Sequence, residues 1–503
     1  MAFEPVYEKI KVTCERKKLC EQLRLDCKSE VPSEEVSSIL SVTAWAVITE
    51  NEVANGQVNF GGKVIFYIGY VDQEGRLRKC ECGNEFKGSI KGERLSDEAR
   101  AFVTAKIDKT DYELSGTKLS VGGFVTVCAS VSECAEGKAL SGGDNIIVNE
   151  SEIPCVKSCG VKSGVFPVEE EFELNYPVAE VLSHQADAVI TATQCGVGAI
   201  IVDGEVLLSA ITLQKNEKSD IIKESKRIPF RLEIECEDAM PNMQATARVK
   251  ERSHKLDLSV DEEGGKSVLS ASVNVCLEGE AFYDDAVTVA LDAFSTEQEL
   301  EISKRDLAYI KTGEVRFCTA TAQGRAITEE MPVGTTVLAL GGERVEIASR
   351  RCEAEKTIVV GTLNTVAYLR DGEGKVFTRK LEIAFESELT CPFDCDSELE
   401  IVPRACGAKA RIVSVSEIEV DAELLFTVYP EVKGSVKIID EVKSIGEKAV
   451  NDCAISVYIP AEGEELWSLA KRLNVCPKAL VATNSDLQFP LSGKERIVIY
   501  RQR

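Results

Sequence analysis

The sequence predicts a mainly β chain: three repeated antiparallel β domains, sandwich or barrel-like, followed by a small βααβ unit. Three observations predict it. First, apolar and polar residues alternate with period two in many runs, as in Phe124-Val125-Thr126-Val127 and Val268-Leu269-Ser270-Ala271-Ser272-Val273. Such alternation marks half-buried strands. Second, a strand that starts on glycine recurs at long period. It occupies residues 62–68, 204–210 and 361–368. Third, few stretches keep a helical period beyond two turns, residues 96–107 being one candidate.

The first unit covers residues 1–150. An alternating lead-in is followed by Gly62-Lys63-Val64-Ile65-Phe66-Tyr67-Ile68 and a polar turn, Asp72-Gln73-Glu74-Gly75. Such turns supply the glycine that a positive φ needs. The second unit, 151–295, carries Gly204-Glu205-Val206-Leu207-Leu208-Ser209-Ala210 at an offset of 142 residues. Ala105-Lys106-Ile107 and Ala247-Arg248-Val249 share that offset and suggest a kept register. The third unit, 296–445, diverges. Its glycine strand begins at Gly361, its turn is Asp371-Gly372-Glu373-Gly374, and Ala410-Arg411-Ile412 falls at a longer offset. At about 140 residues each unit is large enough to fold alone. The expected boundaries are the Gly-, Ser- and Asn-rich stretch 137–158, then 292–310, then the charged and glycine-punctuated stretch 433–452.

Residues 455–503 break the β-only pattern. Val457-Tyr458-Ile459-Pro460 reads as a short strand. Leu466, Leu469, Ala470 and Leu473 recur at one face of a helix that Gly463 opens. Asn474 is the expected stop, and Pro477 fits the first turn of a second helix. That helix presents Leu480 and Val481 and ends near Asn484, and Arg496-Ile497-Val498-Ile499-Tyr500 closes the unit as a strand.

Composition narrows function. With 59 Lys+Arg against 84 Asp+Glu the net charge is −25. That surface repels phosphate backbones and anionic headgroups, which argues against nucleic acid and membrane surfaces as partners. The longest uncharged stretch, 188–202, is too short to span a bilayer and contains Thr191, Thr193 and Gln194. Met1-Ala2-Phe3-Glu4-Pro5 has no basic start and no apolar core, so the expected location is the cytosol.

Catalytic and metal chemistry finds no support. His184 and His254 are the two histidines, 70 residues apart, and both neighbour polar residues, so a polar surface position is expected. The 19 cysteines include Cys80-x-Cys82, Cys155-x3-Cys159 and Cys391-x3-Cys395-x10-Cys406, none with zinc-ribbon spacing. Cys128, Cys236, Cys276 and Cys318 sit in apolar runs, where a thiol acts as a small hydrophobe. Gly264-Gly265-Lys266-Ser267 has Val260 where a phosphate loop needs its first glycine, and Gly196-x-Gly198 lacks the third glycine of a dinucleotide loop. Glu169-Glu170-Glu171 and Asp284-Asp285 read as solvated faces rather than glycosidase pairs. No catalytic residue, metal ligand or cofactor is assigned.

The tail resembles a LysM domain. Gly463-Glu464-Glu465-Leu466-Trp467-Ser468-Leu469-Ala470-Lys471-Arg472-Leu473 is similar to that family's Gly-Asp-Thr-Leu-Trp-x-Ile-Ala opening. Asn484 sits at the family's asparagine, and Ile497-Val498-Ile499 matches its closing strand. The resemblance implies a groove for N-acetylglucosamine chains lined by Gly463, Glu464, Glu465, Leu466, Asn484, Ser485, Asp486 and Leu487. Trp467 is either a stacking residue of that surface or part of the unit's own core. In this chain the family's Asp-Thr is Glu464-Glu465, which removes a hydroxyl and adds charge. That change favours protein contact over sugar.

The whole chain resembles clostridial spore-coat morphogenetic proteins of the SipL type, which carry repeated SPOCS domains before one LysM domain. Residues 62–72 are similar to the SPOCS core Gly-x-Val-x-Phe-x-x-x-Tyr-x-Asp. Tyr7-Glu8-Lys9-Ile10-Lys11-Val12 and Ile39-Leu40-Ser41-Val42 add to the likeness. The second copy has Thr212 at the tyrosine position and the third is looser. The resemblance implies a non-enzymatic protein of the mother-cell cytoplasm, at the forespore surface. Its LysM unit would bind a SpoIVA-type scaffold ATPase of the coat, with other coat proteins as further partners. The alternative it leaves open is a peptidoglycan-binding protein of the cortex or wall.

Overall fold

The structure is a computed structural model. It describes residues 4–92, 95–97, 99–114, 118–216, 220–260, 266–353, 356–389, 398–448 and 455–500. Gly264, Gly265, Cys391 and Cys395 lie outside the described residues. The chain is mainly β, with 78% of residues in strands and 4% in helices.

The first six strands are β1 (Pro5–Pro32), β2 (Val36–Ala54), β3 (Gln57–Asp72), β4 (Leu77–Lys91), β5 (Arg100–Glu113) and β6 (Lys118–Gly143). They form two antiparallel sheets, β1-β6-β5 and β2-β3-β4. One apolar core lies between them, built from Val58, Phe60, Val64 and Phe66 on one side and Val103, Val121, Val125 and Val127 on the other. Two facing sheets with no ladder between them are a sandwich.

The next six strands are β7 (Ile147–Glu173), β8 (Val178–Cys195), β9 (Ala199–Gln214), β10 (Ile221–Glu235), β11 (Gln244–Val260) and β12 (Ser267–Phe294). Their sheets run β11-β12-β7 and β10-β9-β8, the same order as before. Then come β13 (Gln298–Thr312), β14 (Arg316–Ile327), β15 (Thr336–Glu353), β16 (Lys356–Arg370), β17 (Val376–Glu388), β18 (Glu398–Ser414) and β19 (Glu417–Glu447). β15-β16-β17 form one sheet, while β13, β14 and β18 all pair with β19 in the other. β13 and β14 follow one another along a single edge of β19, parted where Gly313 N–H bonds the Pro430 carbonyl at 2.8 Å.

The recurring glycine has a steric cause. Gly62, Gly204 and Gly361 each pair with a phenylalanine of the next strand: Phe86, Phe230 and Phe385. On their other side the ladder slips by a residue, between Ile48 and Glu50, Ile190 and Ala192, and Ile347 and Ser349. A Cβ at the three glycines would sit 2.4, 2.4 and 2.2 Å from the carbonyl oxygens of Val47, Val189 and Glu346. It would also press into the phenyl rings, at 2.5, 2.3 and 2.7 Å. Close backbone approach beside a bulge, with a ring laid over the gap, admits only glycine. The two expected turns also form. Gly75 and Gly374 take φ of +78° and +90°. Asp72 and Asp371 each accept two backbone N–H bonds across their turn.

Three expectations need correction. Residues 96–107 are not helical, because β5 begins at Arg100. Ala99, Val103 and Ile107 are all buried, and a spacing of four satisfies helix and strand alike. The stretches expected as boundaries hold the breaks between β6 and β7, at 144–146, and between β12 and β13, at 295–297, but are otherwise largely strand, and β19 runs to Glu447. The glycines and charges there lie on long strands rather than in linkers. Finally, Ile107 pairs with Val125 but Val249 pairs with Leu277, farther from its hairpin end, so the two tripeptides do not share a rung.

The sandwiches pack on one another. Leu40 and Leu77, Leu182, Ile211 and Ile221, and Ala339 and Tyr368 form one core where β2-β3-β4, β8-β9-β10 and β15-β16-β17 meet. Tyr368 is fully buried there and its hydroxyl bonds Ser41 Oγ at 2.8 Å. Leu140 of β6, Ala290 of β12 and Ile439 of β19 meet in another core. Charged pairs seal the seams, Lys223 with Glu343 and Arg248 with Glu400 among them. The histidines belong to such a seam rather than to the surface. Trp45, His254, His184 and Tyr67 stack edge to face, with centroids 4.4, 4.9 and 4.9 Å apart. Burial pushes His184 down to about 4 and His254 down to about 3. Their polar sequence neighbours alternate to the opposite strand face, which hid this.

Cysteine placement is mixed. Cys236 and Cys318 are buried thiols as expected. Cys128 is not free: it forms a disulfide with Cys20, its direct partner on β1. Cys352 is also disulfide-bonded.

The chain closes with β20 (Ile455–Tyr458), α1 (Leu466–Leu473), α2 (Pro477–Thr483) and β21 (Ile497–Tyr500), β20 pairing antiparallel with β21. Asn474 caps α1 in the left-handed conformation and Pro477 starts α2, as the sequence suggests. No helix among the described residues is long and apolar enough to cross a membrane.

Candidate functional site

The C-terminal unit has a small core of Leu469, Ala470, Leu480, Leu491, Ile497 and Ile499. That core is completed from outside the unit by Phe294, the last residue of β12. Trp467 is the hinge of the arrangement. Its ring meets Phe294 edge to face at 5.2 Å, and its Nε1 donates to Asp292 Oδ2 at 2.8 Å. Lys471, one turn on, also binds Asp292, at 2.7 Å. Asn474 then donates to the Thr296 carbonyl at 2.7 Å and accepts from Lys448. Trp467, Lys471 and Asn474 fall at i, i+4 and i+7, one face of α1. Burial alone would raise the Asp292 carboxyl; its bonds from Lys471 and Trp467 outweigh that and hold it below the usual range. Trp467 therefore fastens the unit to β12.

The other site residues read from the sequence divide into two kinds. Asn484 is committed to the fold. Its side-chain amide donates to the Leu480 and Val498 carbonyls at 2.9 and 2.7 Å and accepts from Val498 N–H at 2.7 Å, clamping α2 to β21. Leu466 and Leu487 are half-buried against the core. Glu464 is also half-buried and is paired with Arg472, whose guanidinium lies over the Tyr458 ring at 4.8 Å. The charge expected from the two glutamates is thus halved, and Glu465 alone projects without a cap bond. Gly463, Glu465, Ser485 and Asp486 are exposed. Leu487 N–H bonds the Asn484 carbonyl and Gly463 N–H the Leu491 carbonyl, which fixes both loops.

Sequence reasoning missed a second surface. Ile455 and Val457 of β20 and Ile459 just beyond its end keep the alternation and are 60, 62 and 66% exposed; Tyr500, across from Ile455, is 61% exposed. The period-two signal was present in residues 455–459. What concealed the surface is that a two-stranded ribbon has one covered face, and the strand pattern does not say which side receives α1 and α2. Elsewhere, a hollow of about 710 Å3 on the third sandwich is lined by Thr319, Thr321, Glu388, Lys409, Asp421 and Glu423. Among the described residues no cluster of histidine, cysteine or acidic side chains is arranged to hold a metal ion.

The chain matches no protein-family model, no curated protein and no solved structure.

Proposed function

We propose that this chain is a non-enzymatic assembly protein of the sporulating mother cell, acting in the cytoplasm at the forespore surface and in the spore coat. In this reading residues 1–150, 151–295 and 296–445 are three SPOCS-like copies of one sandwich, and 455–503 is a LysM unit that docks a SpoIVA-type scaffold. The shared sheet order and the three Gly–Phe pairs beside a bulge support common descent of the copies. The observation that carries the docking role is the exposed apolar ribbon of Ile455, Val457, Ile459 and Tyr500. Contiguous exposed apolar side chains on a small folded unit mark a protein contact. The unit's opposite face is already fastened through Trp467 and Asp292, so the ribbon and the 463–465 and 484–487 loops are presented in a fixed pose. Preorganisation of that kind lowers the cost of binding.

Peptidoglycan binding is the second reading. It is favoured by the Glu464–Arg472 pair, which removes one of the carboxylate charges that would oppose a glycan.

The test is a comparison on the full chain. Binding to the SpoIVA-type scaffold and to muropeptides is measured for the wild type, for Val457→Glu and for Asp486→Lys. Loss of a buried apolar anchor costs at least ~1.4 kcal/mol, roughly tenfold in affinity. The account expects V457E to weaken scaffold binding by that factor with an unchanged circular dichroism spectrum. Tight muropeptide binding that V457E leaves intact and D486K abolishes would install the second reading.

A further inference from the structure

One end of the second sandwich gathers four sulfur-bearing side chains. Cys159 lies on β7, Cys195 ends β8, Cys236 follows β10 and Met243 precedes β11. All four pack in one apolar cluster. The backbone of β7 is shaped for this. Along β12, Phe282 pairs with Ser158 and Glu280 with Val161, so Cys159 and Gly160 together oppose Ala281. Gly160 takes φ +82°, the left-handed conformation that glycine adopts without a Cβ clash. A bulge of this sort re-aims the side chain it carries. Here the Cys159 sulfur comes within 3.7 Å of the Asp238 carbonyl and 3.9 Å of Met243 Sδ.

The three thiols are not equivalent. The Cys159 sulfur sits against the turn that Cys236 opens, a turn closed by the Ala239 N–H on the Cys236 carbonyl. Cys195 donates to the Gln244 carbonyl at 3.3 Å. Cys236 is buried and Cys159 is partly open to solvent. That combination gives an accessible sulfur for a reagent to reach and an enclosed neighbour to resolve it. Cys20–Cys128 joins two strands of the same sheet. A bond between Cys159 and Cys236 would join the two sheets of a sandwich.

We infer that Cys159 and Cys236 form a redox site that closes to a disulfide when the protein meets a small disulfide oxidant such as oxidised glutathione, stitching β7 to the end of β10. The Cys159 thiolate attacks one glutathione sulfur, the glutathione S–S bond breaks, and one glutathione leaves as thiolate and takes up a proton. The Cys236 thiolate then attacks the Cys159 sulfur and expels the second glutathione. In total two protein thiols lose two electrons and two protons, and one oxidised glutathione becomes two reduced ones. Burial, first, and the neighbouring Cys236, second, raise the Cys159 thiol. Thiolate is therefore scarce at neutral pH and the closure quickens in mild alkali.

The full chain is reduced, freed of reductant and exposed to oxidised glutathione at mildly alkaline pH. It is then quenched with acid, alkylated under denaturing conditions and digested for peptide mapping by mass spectrometry. The expected product is a peptide pair joined through Cys159 and Cys236, lighter by two hydrogens and separated by reductant. In Cys236→Ser the expected product is Cys159 as a mixed disulfide with glutathione, and Cys195→Ser leaves the cross-link unchanged. Recovery of Cys159 and Cys236 both alkylated, under conditions that regenerate Cys20–Cys128, overturns the assignment. So does Cys159 joined to any other cysteine.

Discussion

Gly62, Gly204 and Gly361 are the residues on which sequence pattern and three-dimensional cause meet most closely. Each begins a recurring strand in the sequence, and each faces a phenyl ring and a neighbouring carbonyl in the fold. The recurrence was legible because glycine opens all three segments, at 62, 204 and 361. Its reason was not, since Phe86 or Phe385 reaches the glycine only through hairpin register. A Gly62→Ala variant is expected to lose about 1–3 kcal/mol, the usual cost of overpacking, as read by urea denaturation. Adding Phe86→Ala recovers none of that loss, because the Val47 carbonyl still lies 2.4 Å from the new Cβ. Recovery in the double variant would mean that the ring alone demands glycine. Trp467 teaches the complementary lesson. Helical periodicity identifies the face of α1 that fills its own unit, but not what covers the other face, and the answer, Asp292 and Phe294, lies far away in the chain.

At the scale of elements, the seam between β2-β3 and β8-β11 depends on imidazoles kept neutral. Burial is the main cause of the lowered His184 and His254 values; Lys79 adds to it at His184, and His184 adds to it at His254, where Asp187 opposes. In an unfolded chain both rings would take a proton near 6.5. The unfolded state therefore binds more protons as the solution is acidified, and stability falls. The contribution is full above about pH 6.5 and is lost progressively as pH falls, down to about 4 for His184 and about 3 for His254. Denaturation midpoints at pH 7.5 and pH 5 should accordingly differ more for the wild type than for His254→Phe. Equal differences would remove the histidine seam from the account. No period in the sequence announces this seam, because it joins strands of two sandwiches. The β5 strand is the opposite case: its pattern was visible yet ambiguous, with buried residues spaced by four.

Across the whole molecule, the three sandwiches share cores instead of hanging on linkers. Tyr368 reaches Ser41 across more than three hundred residues, and the cluster around it draws on all three inner sheets. Alternation foretold the strands. The way the groups close on one another was beyond the sequence, since the residues involved, such as Leu77, Ile211 and Tyr368, look like ordinary strand apolars. Truncating Tyr368 to alanine should cost about 3–5 kcal/mol, the range for a buried aromatic. It should also split one thermal transition into several in a calorimetric scan, and a single transition with an unshifted midpoint would show that Tyr368 does not couple the sandwiches. The C-terminal unit is part of this body through β12, which holds its exposed ribbon in the pose that the proposed docking needs.

The proposed docking is tested most directly by hydrogen exchange on the full chain, with and without a SpoIVA-type scaffold. The account predicts new protection at 455–459 and 497–500. Unchanged exchange there, with muropeptides alone protecting 463–466 and 484–487, would contradict it.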